Sequence, residues 1–141
     1  MTFPGEVDDP SLVGTNGVRL GDLDIYIAHP TAPGSYPALV VLHEAFGVVE
    51  HIEDVCRRLA AAGYVAAAPD LYSRVGAPSA DMESVLGKMF GLADRQIVAD
   101  CDAVAAALRA RDDTSGAVGI VGFCMGGRAT TLTALSSDRF D

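Results

Sequence analysis

The segment of residues 118–129 constrains the fold of this chain more than any other part of the sequence. It reads VGIVGFCMGGRA, so a β-branched run ends in Gly-x-Cys-x-Gly-Gly and an apolar, helix-compatible segment follows. This pattern is typical of a nucleophile elbow, a sharp strand-to-helix turn that holds a reactive side chain above a sheet. Gly122 and Gly126 flank the turn, because a Cβ atom at either position is expected to collide with its surroundings. The pattern predicts Cys124 as the reactive residue, and the positive end of the helix dipole favours its thiolate.

Three other interpretations of the same segment are open. A P-loop has the spacing of Gly122 and Gly127, but Arg128 and Ala129 stand where Lys and Ser or Thr are needed, so the magnesium ligand is missing. A dinucleotide-binding turn needs a second glycine where this chain has Cys124, and the pyrophosphate must approach the backbone there. The third interpretation is a glycine-rich turn in which the cysteine is merely a buried residue. Taken alone, this segment does not exclude that case.

The composition argues against several classes of protein. The 141 residues suit one domain, and half of them are hydrophobic, which provides enough apolar side chains for a sizeable core. Nineteen acidic and ten basic residues give a formal net charge of −9, which argues against a nucleic-acid partner or an anionic membrane surface. No stretch of 18 uninterrupted apolar residues occurs, so the sequence predicts no transmembrane helix.

The cysteines and the N-terminus indicate a cytoplasmic protein. Three cysteines without a paired spacing are typical of a reducing compartment, and Cys56 and Cys101 lie in helical patterns that predict core positions. Residues 1–13 are polar, acidic and interrupted by prolines, which predicts an irregular segment without the features of a signal peptide. Since the sequence shows no cluster of metal-ligating residues, we expect neither a metal nor another cofactor.

The hydrophobic pattern predicts an alternation of strands and helices. Alternating side chains around a Gly-Asp turn predict a hairpin over residues 18–29. Continuous apolar runs predict strands buried on both faces, at residues 38–42, 64–68 and 118–121. Helical periodicity predicts helices over residues 50–62, 81–92 and 94–109, with a turn over residues 112–116. A hairpin followed by three β–α units predicts an α/β fold with a mostly parallel sheet.

Two reactive side chains follow strands of this predicted sheet. Glu44 comes just after the strand of residues 38–42, and Cys124 just after the strand of residues 118–121. Ligands bind beyond the carboxyl ends of the strands in such sheets. We therefore expect both side chains on one rim, although an acid after a strand is also common as a turn or cap residue.

Three short motifs stand at the ends of the predicted strands. They are LHEAFGV at residues 42–48, APDLY at residues 68–72 and GFCMGG at residues 122–127. Together they resemble the dienelactone hydrolases, which have the α/β-hydrolase fold, and the resemblance covers nearly all of the chain after the N-terminal segment. It implies a mostly parallel sheet with helices on both faces, and it favours a reactive Cys124 over a buried one.

The resemblance implies roles for four residues. Cys124 would attack the carbonyl of a small-molecule ester or lactone and form an acyl-thioester, and Glu44 would accept the thiol proton when substrate arrives. The backbone N–H groups of Met125 and Ala45 would form the oxyanion hole. These roles agree with the chemistry, because a thiolate is the strong nucleophile and two preorganised donors stabilise the charge that develops on the carbonyl oxygen.

The sequence departs from the family where the substrate carboxylate would bind. The family holds this carboxylate partly with an arginine on the helix that here spans residues 81–92, and this region contains no arginine. Lys88 is a point charge and cannot form a bidentate fork, whereas Arg74 and Arg95 flank the region as candidate substitutes. Dienelactone itself is therefore not a safe substrate assignment.

The second departure concerns the catalytic acid and histidine, which α/β-hydrolases place after the nucleophile. The 17 residues after Cys124 include Asp138 and Asp141 but no histidine, and we interpret His43 as a strand-end residue. We therefore expect residues 1–141 to form a single incomplete domain, the N-terminal part of a longer protein, with little turnover alone. The alternative is a non-catalytic fragment of this fold that acts only by association or is inactive alone. The sequence does not predict the oligomeric state.

Overall fold

A sheet with helices on both faces is the framework of the protein, seen in a computed structural model that describes residues 7–141. The strands are β1 Val13–Leu20, β2 Leu23–Pro30, β3 Tyr36–Leu42, β4 Val65–Pro69 and β5 Thr114–Gly122. The helices are α1 Glu50–Ala61, α2 Met82–Gly91, α3 Asp94–Arg109 and α4 Met125–Ser136. Across the sheet, the described strands follow the order β1-β2-β4-β3-β5.

The hairpin at the start of the described chain is longer than the sequence predicts. Its turn contains Gly21 with φ +63°, as predicted, but β1 begins at Val13, five residues earlier than expected. Gly14, Asn16 and Gly17 are poor strand formers, and they are held in a strand because β2 pairs with β1 along its whole length. Within the predicted irregular N-terminal segment, residues 1–6 lie outside the described part, and Pro10–Leu12 form a single 3-10 turn.

β4, β3 and β5 run parallel to one another and carry their following loops at one rim. β3 pairs in parallel with β4 on one side and with β5 on the other, whereas the hairpin joins through antiparallel pairing of β2 with β4. β5 begins at Thr114, inside the turn predicted over residues 112–116. Its pairing with β3 continues across a register shift that contains Gly116 at φ +89°. The sheet is therefore mixed, and its parallel part places the ends of β3 and β5 side by side.

Alternating side chains of the strands build two cores, one on each face of the sheet. Val41 of β3 packs with α1, whereas its neighbours Val40 and Leu42 pack with α3 and α4. Cys56 on α1 and Cys101 on α3 are fully buried in these two cores, as predicted. The helices thus cover both faces, which confirms the α/β-hydrolase-type architecture that the resemblance implies.

Candidate active site

The turn between β5 and α4 has the geometry of a nucleophile elbow. Cys124 at its apex has φ +52° and ψ −113°, and no other non-glycine residue of the described chain has a positive φ. This conformation is unfavourable for a residue with a Cβ atom, and proteins retain such residues mainly at functional sites. The Cys124 side chain is exposed, which rules out the interpretation as a buried cysteine. α4 begins at the next residue, so the thiol stands at a helix N-terminus.

Two glycines allow β3, β5 and α4 to approach each other closely. A Cβ on Gly122 would overlap the backbone of Gly126 and lie 2.6 Å from Thr130 Oγ1. A Cβ on Gly126 would overlap the Leu42 carbonyl and lie 2.7 Å from the carbonyl oxygen of His43. The collisions expected at both glycines are confirmed, and they show that the first turn of α4 lies directly against the end of β3.

The loops after β3 and β5 meet at one rim, as predicted. Leu42 pairs in register with Gly122, and the N–H of Phe123 donates to the Leu42 carbonyl oxygen at 3.2 Å. Glu44 and Ala45 are two and three residues after Leu42, so the loop that carries them starts beside the start of the elbow. Parallel pairing of β3 with β5 is what brings these distant parts of the sequence together.

Two backbone N–H groups at this rim have no acceptor within the described chain. Ala45 is 9% exposed and Met125 is 7% exposed, and neither N–H donates a hydrogen bond to residues 7–141. Met125 is the first residue of α4, and the first N–H groups of a helix have no partner within the helix. An oxyanion between the two loops would accept both bonds. The role of these N–H groups as an oxyanion hole stays a prediction.

Glu44 is half-buried beside these N–H groups. Its backbone carbonyl accepts a hydrogen bond from the Gly47 N–H at 3.3 Å, whereas its carboxylate forms no hydrogen bond or ion pair with the described residues. A carboxylate without a cationic partner is able to accept a proton from a nearby thiol. The proton transfer from Cys124 to Glu44 stays a prediction.

His43 has a more specific position than the strand-end residue that the sequence indicates. Its ring is fully buried, with Nδ1 2.6 Å from the Glu44 carbonyl oxygen and Nε2 accepting the N–H of Leu71 at 3.0 Å. Because a carbonyl oxygen only accepts, Nδ1 carries the hydrogen and Nε2 the lone pair. Burial lowers the pKa of His43, which favours this neutral form. No sequence pattern indicates this link, since Leu71 is 28 residues away.

Tyr72 lies below the same loop and is also fully buried. Its hydroxyl donates to the Ala45 carbonyl oxygen at 2.9 Å and lies 3.5 Å from the Met125 sulfur. Its ring packs on the His43 ring with 5.2 Å between centroids. Tyr72 therefore lies in the core, in contact with both loops of the site.

Cys124 should react with iodoacetamide much faster than the other two cysteines. Cys56 and Cys101 are fully buried, and burial raises the pKa of each thiol to about 12, so little thiolate is present at neutral pH. Cys124 is exposed at a helix N-terminus. Peptide mapping after a brief treatment of the folded protein measures the three rates. Equal labelling of all three cysteines would contradict the assignment.

Arg74, one candidate substitute for the missing arginine that would bind a substrate carboxylate, already binds other residues. Arg74 binds both carboxylate oxygens of buried Asp100, at 2.8 and 2.9 Å, and also pairs with Asp22. Lys88 donates to the backbone carbonyl of Val75. Arg74 therefore already has two carboxylate partners and cannot replace the missing arginine without losing them.

An apolar cleft of about 250 Å³ opens beside the start of α4. Arg128 at its edge binds both carboxylate oxygens of Asp94, at 2.8 and 3.0 Å, so the two charges largely cancel. The cleft can accept an uncharged group next to Met125. Its complete lining consists of Met89, Phe90, Leu92, Asp94, Ile97, Met125 and Arg128.

A sheet whose parallel strand ends in a nucleophile elbow, with helices on both faces, defines the class of α/β-hydrolases. Within that class the chain belongs to the dienelactone hydrolase family, whose sequence model matches residues 23–141. A Salmonella typhi protein named as a carboxymethylenebutenolidase is 44% identical over 117 residues, which cover 80% of this chain and 43% of that protein. An Escherichia coli K12 protein of the same name is 41% identical over 133 residues, covering 90% of this chain and 49% of that protein.

Solved structures show the same fold. A Klebsiella pneumoniae protein described as a dienelactone hydrolase superposes with a TM-score of 0.81 at 38% identity, over 92% of this chain and 56% of that one. A dienelactone hydrolase-like promiscuous phosphotriesterase from metagenomic libraries gives a TM-score of 0.78 at 25% identity, over 92% and 56% of the two chains. Membership of this family excludes the interpretations of the glycine-rich turn as a P-loop or as a dinucleotide-binding turn.

The chain spans about half the length of the curated relatives it matches. None of the helices among residues 7–141 combines the length and the apolar character that crossing a bilayer requires. Across the same residues, no group of three or more histidine, cysteine, aspartate or glutamate side chains is placed to hold a metal ion.

Proposed function

We propose that this chain carries the nucleophile and oxyanion-hole part of a hydrolase that cleaves small-molecule esters or lactones through an acyl-thioester on Cys124. The observation that carries the proposal is the exposed Cys124, in strained backbone beside the unpaired N–H groups of Ala45 and Met125. Relatives named as carboxymethylenebutenolidases support the same reaction class. The reduced thiol that the reaction needs agrees with a cytoplasmic protein, and all three cysteines are unpaired here.

In the first half of the proposed reaction, the thiol proton passes to the Glu44 carboxylate and the thiolate attacks the substrate carbonyl carbon. The carbonyl π electrons move to the oxygen, and the N–H groups of Ala45 and Met125 stabilise this oxyanion. One such donor typically contributes about 3 kcal/mol. Collapse of the tetrahedral intermediate re-forms the C=O bond and breaks the C–O bond. The alcohol leaves with the proton that Glu44 took from the thiol, and the acyl group stays on Cys124 as a thioester.

The second half needs a general base that activates water against this thioester. The family resemblance assigns this step to an aspartate and a histidine that follow the nucleophile in chain order. The described histidine on this rim, His43, is buried with both ring nitrogens in hydrogen bonds, so it cannot activate water without breaking them. We therefore assign to residues 1–141 the acylation half of the reaction.

The test is to mix the protein that contains residues 1–141 with p-nitrophenyl acetate and follow p-nitrophenolate release together with the protein mass. We expect an initial burst and an acetyl group on the peptide that contains Cys124. Ester turnover with no acetylated Cys124 at any time would overturn the thioester mechanism. A folded protein that neither acylates nor turns over would support the alternative, a non-catalytic member of this fold that works by association.

Neutral esters should compete well with anionic lactones as substrates. The helix α2 offers no arginine, Arg74 is bound by Asp100, and the cleft beside Met125 is apolar with its charges paired. A lost charge-assisted contact typically weakens binding by about 1.5–3 kcal/mol, which shifts the preference by roughly one to two decades. Competition assays between an acetate ester and a carboxylate-bearing lactone measure it. A strong preference for the anionic lactone would show that another arginine, such as Arg95, supplies the contact.

A further inference from the structure

We infer that His43 is a positioning residue that orients the Ala45 N–H for the oxyanion, an inference that rests on the proposed function. The Ala45 N–H and the Glu44 carbonyl belong to one peptide group. A trans peptide group is planar, and its C=O and N–H point in opposite directions. Whatever holds the Glu44 oxygen therefore also sets the direction of the Ala45 N–H.

His43 holds that oxygen with a short, well-defined bond. Its Nδ1–H donates to the Glu44 carbonyl at 2.6 Å, and the Gly47 N–H adds a longer bond at 3.3 Å. The imidazole cannot turn over without breaking a second bond, because Nε2 accepts the Leu71 N–H at 3.0 Å. The ring is fully buried, so water does not compete for either bond. The first donor peptide is thus fixed through its own carbonyl.

Tyr72 fixes the peptide group on the other side of Ala45. Its hydroxyl donates to the Ala45 carbonyl oxygen at 2.9 Å, and the Met125 sulfur, a weak acceptor, lies 3.5 Å from the Tyr72 hydroxyl oxygen. His43 and Tyr72 therefore hold the two peptide planes that flank the Cα atom of Ala45. Both side chains pack against each other below the loop, and their backbones come from the ends of two different strands.

The arrangement has a chemical consequence for the donor. A misplacement of a reacting contact by about 1 Å can reduce the rate by roughly a hundredfold, and loss of one oxyanion donor reduces it by roughly 10²–10³. Stabilisation of the oxyanion acts on the transition state and not on substrate binding, so it changes the rate constant of acylation and leaves the dissociation constant of the ester unchanged.

Two conservative variants separate positioning from structural support. His43→Asn keeps an N–H donor near the place of Nδ1 and loses the acceptor for Leu71. His43→Gln keeps an acceptor near the place of Nε2 and loses the donor to Glu44. Each variant loses one hydrogen bond of the same ring, so a merely structural role predicts similar effects of both on stability and on activity.

The experiment measures the acylation rate constant by stopped flow with p-nitrophenyl acetate, and the affinity for an aryl trifluoromethyl ketone, which forms an oxyanion-like adduct with a thiolate. We expect His43→Gln to lose roughly ten- to a hundredfold in both quantities, with an unchanged dissociation constant of the ester. His43→Asn should stay within about threefold of the wild type. Tyr72→Phe removes only the hydroxyl that donates to the Ala45 carbonyl, and it should also lower the acylation rate. It tests the positioning of the same loop if a His43 variant does not fold.

Equal losses in His43→Asn and His43→Gln, or an unchanged acylation rate in folded His43→Gln, would overturn the inference and leave the proposed function intact. A wild-type protein whose Cys124 does not acylate would overturn the proposed function, and the positioning role with it. Urea unfolding of each variant shows whether the compared proteins are folded to the same extent.

Discussion

Cys124→Ala should lower the acylation rate with an aryl ester by roughly a thousandfold or more, because removal of a catalytic nucleophile typically has effects of this size or larger. No other thiol can take over the reaction: Cys56 and Cys101 are fully buried in the two cores. Stopped-flow measurement of p-nitrophenolate release by the protein that contains residues 1–141 gives the rate. Any residual p-nitrophenolate release in this variant measures the direct attack of water on the ester, assisted by the oxyanion hole alone.

The matched controls are Cys56→Ala and Cys101→Ala. Each removes a sulfur atom from a packed core, so each should reduce the free energy of unfolding while the acylation rate of the folded protein stays near that of the wild type. An acylation rate in Cys124→Ala within tenfold of the wild type, with the protein folded, would refute the assignment of the nucleophile.

Gly126→Ala should destabilise the fold by about 3 kcal/mol, at the upper end of what overpacking usually costs. The new Cβ would overlap the carbonyl group of Leu42 and lie 2.7 Å from the His43 carbonyl oxygen, and these backbone atoms cannot rotate away as a side chain can. The substitution is otherwise favourable in a helix, by up to about 1 kcal/mol. Gly126 lies in α4, so this gain in helix propensity partly offsets the steric cost of the new Cβ. We expect the steric cost to be the larger of the two.

Gly127→Ala provides the matched control in the next position of the same helix. The nearest atom to its Cβ is the Gly122 carbonyl oxygen at 3.5 Å, an ordinary contact. This variant should therefore be neutral or more stable by up to about 1 kcal/mol. Urea denaturation of both variants and of the wild type measures the differences. Similar stabilities of Gly126→Ala and Gly127→Ala would show that the close approach of α4 to β3 is not a constraint.

Local geometry made the elbow predictable from the sequence. The strand, the turn and the helix are contiguous, and the glycines at positions 122 and 126 lie within four residues of each other, so sterics alone indicates their role. The same holds for α3, whose bounds agree with the predicted helix over residues 94–109 because its apolar periodicity is strong. The sequence also placed Glu44 and Cys124 on one rim, since the carboxyl ends of parallel strands share an edge.

Sheet pairing decided features that local propensity could not indicate. Residues 14–17 form a strand because β2 supplies the hydrogen-bonding partner, although Gly14, Asn16 and Gly17 disfavour it. β5 extends back to Thr114 for the same reason, through pairing with β3. In both cases the hydrogen bonds that stabilise the strand come from a segment elsewhere in the chain.

The sequence by itself therefore determined the strand-to-helix elbow at Cys124, the class of fold and the rim on which Glu44 and Cys124 stand. Only the tertiary structure showed that Arg74 is already bound to Asp100, 26 residues away, and that His43 reaches Leu71 across 28 residues. These assignments depend on where a side chain's hydrogen-bonding partners lie in space. Periodicity and motif spacing report only on neighbours along the chain, so they cannot show which charges and ring nitrogens the folded protein has already paired.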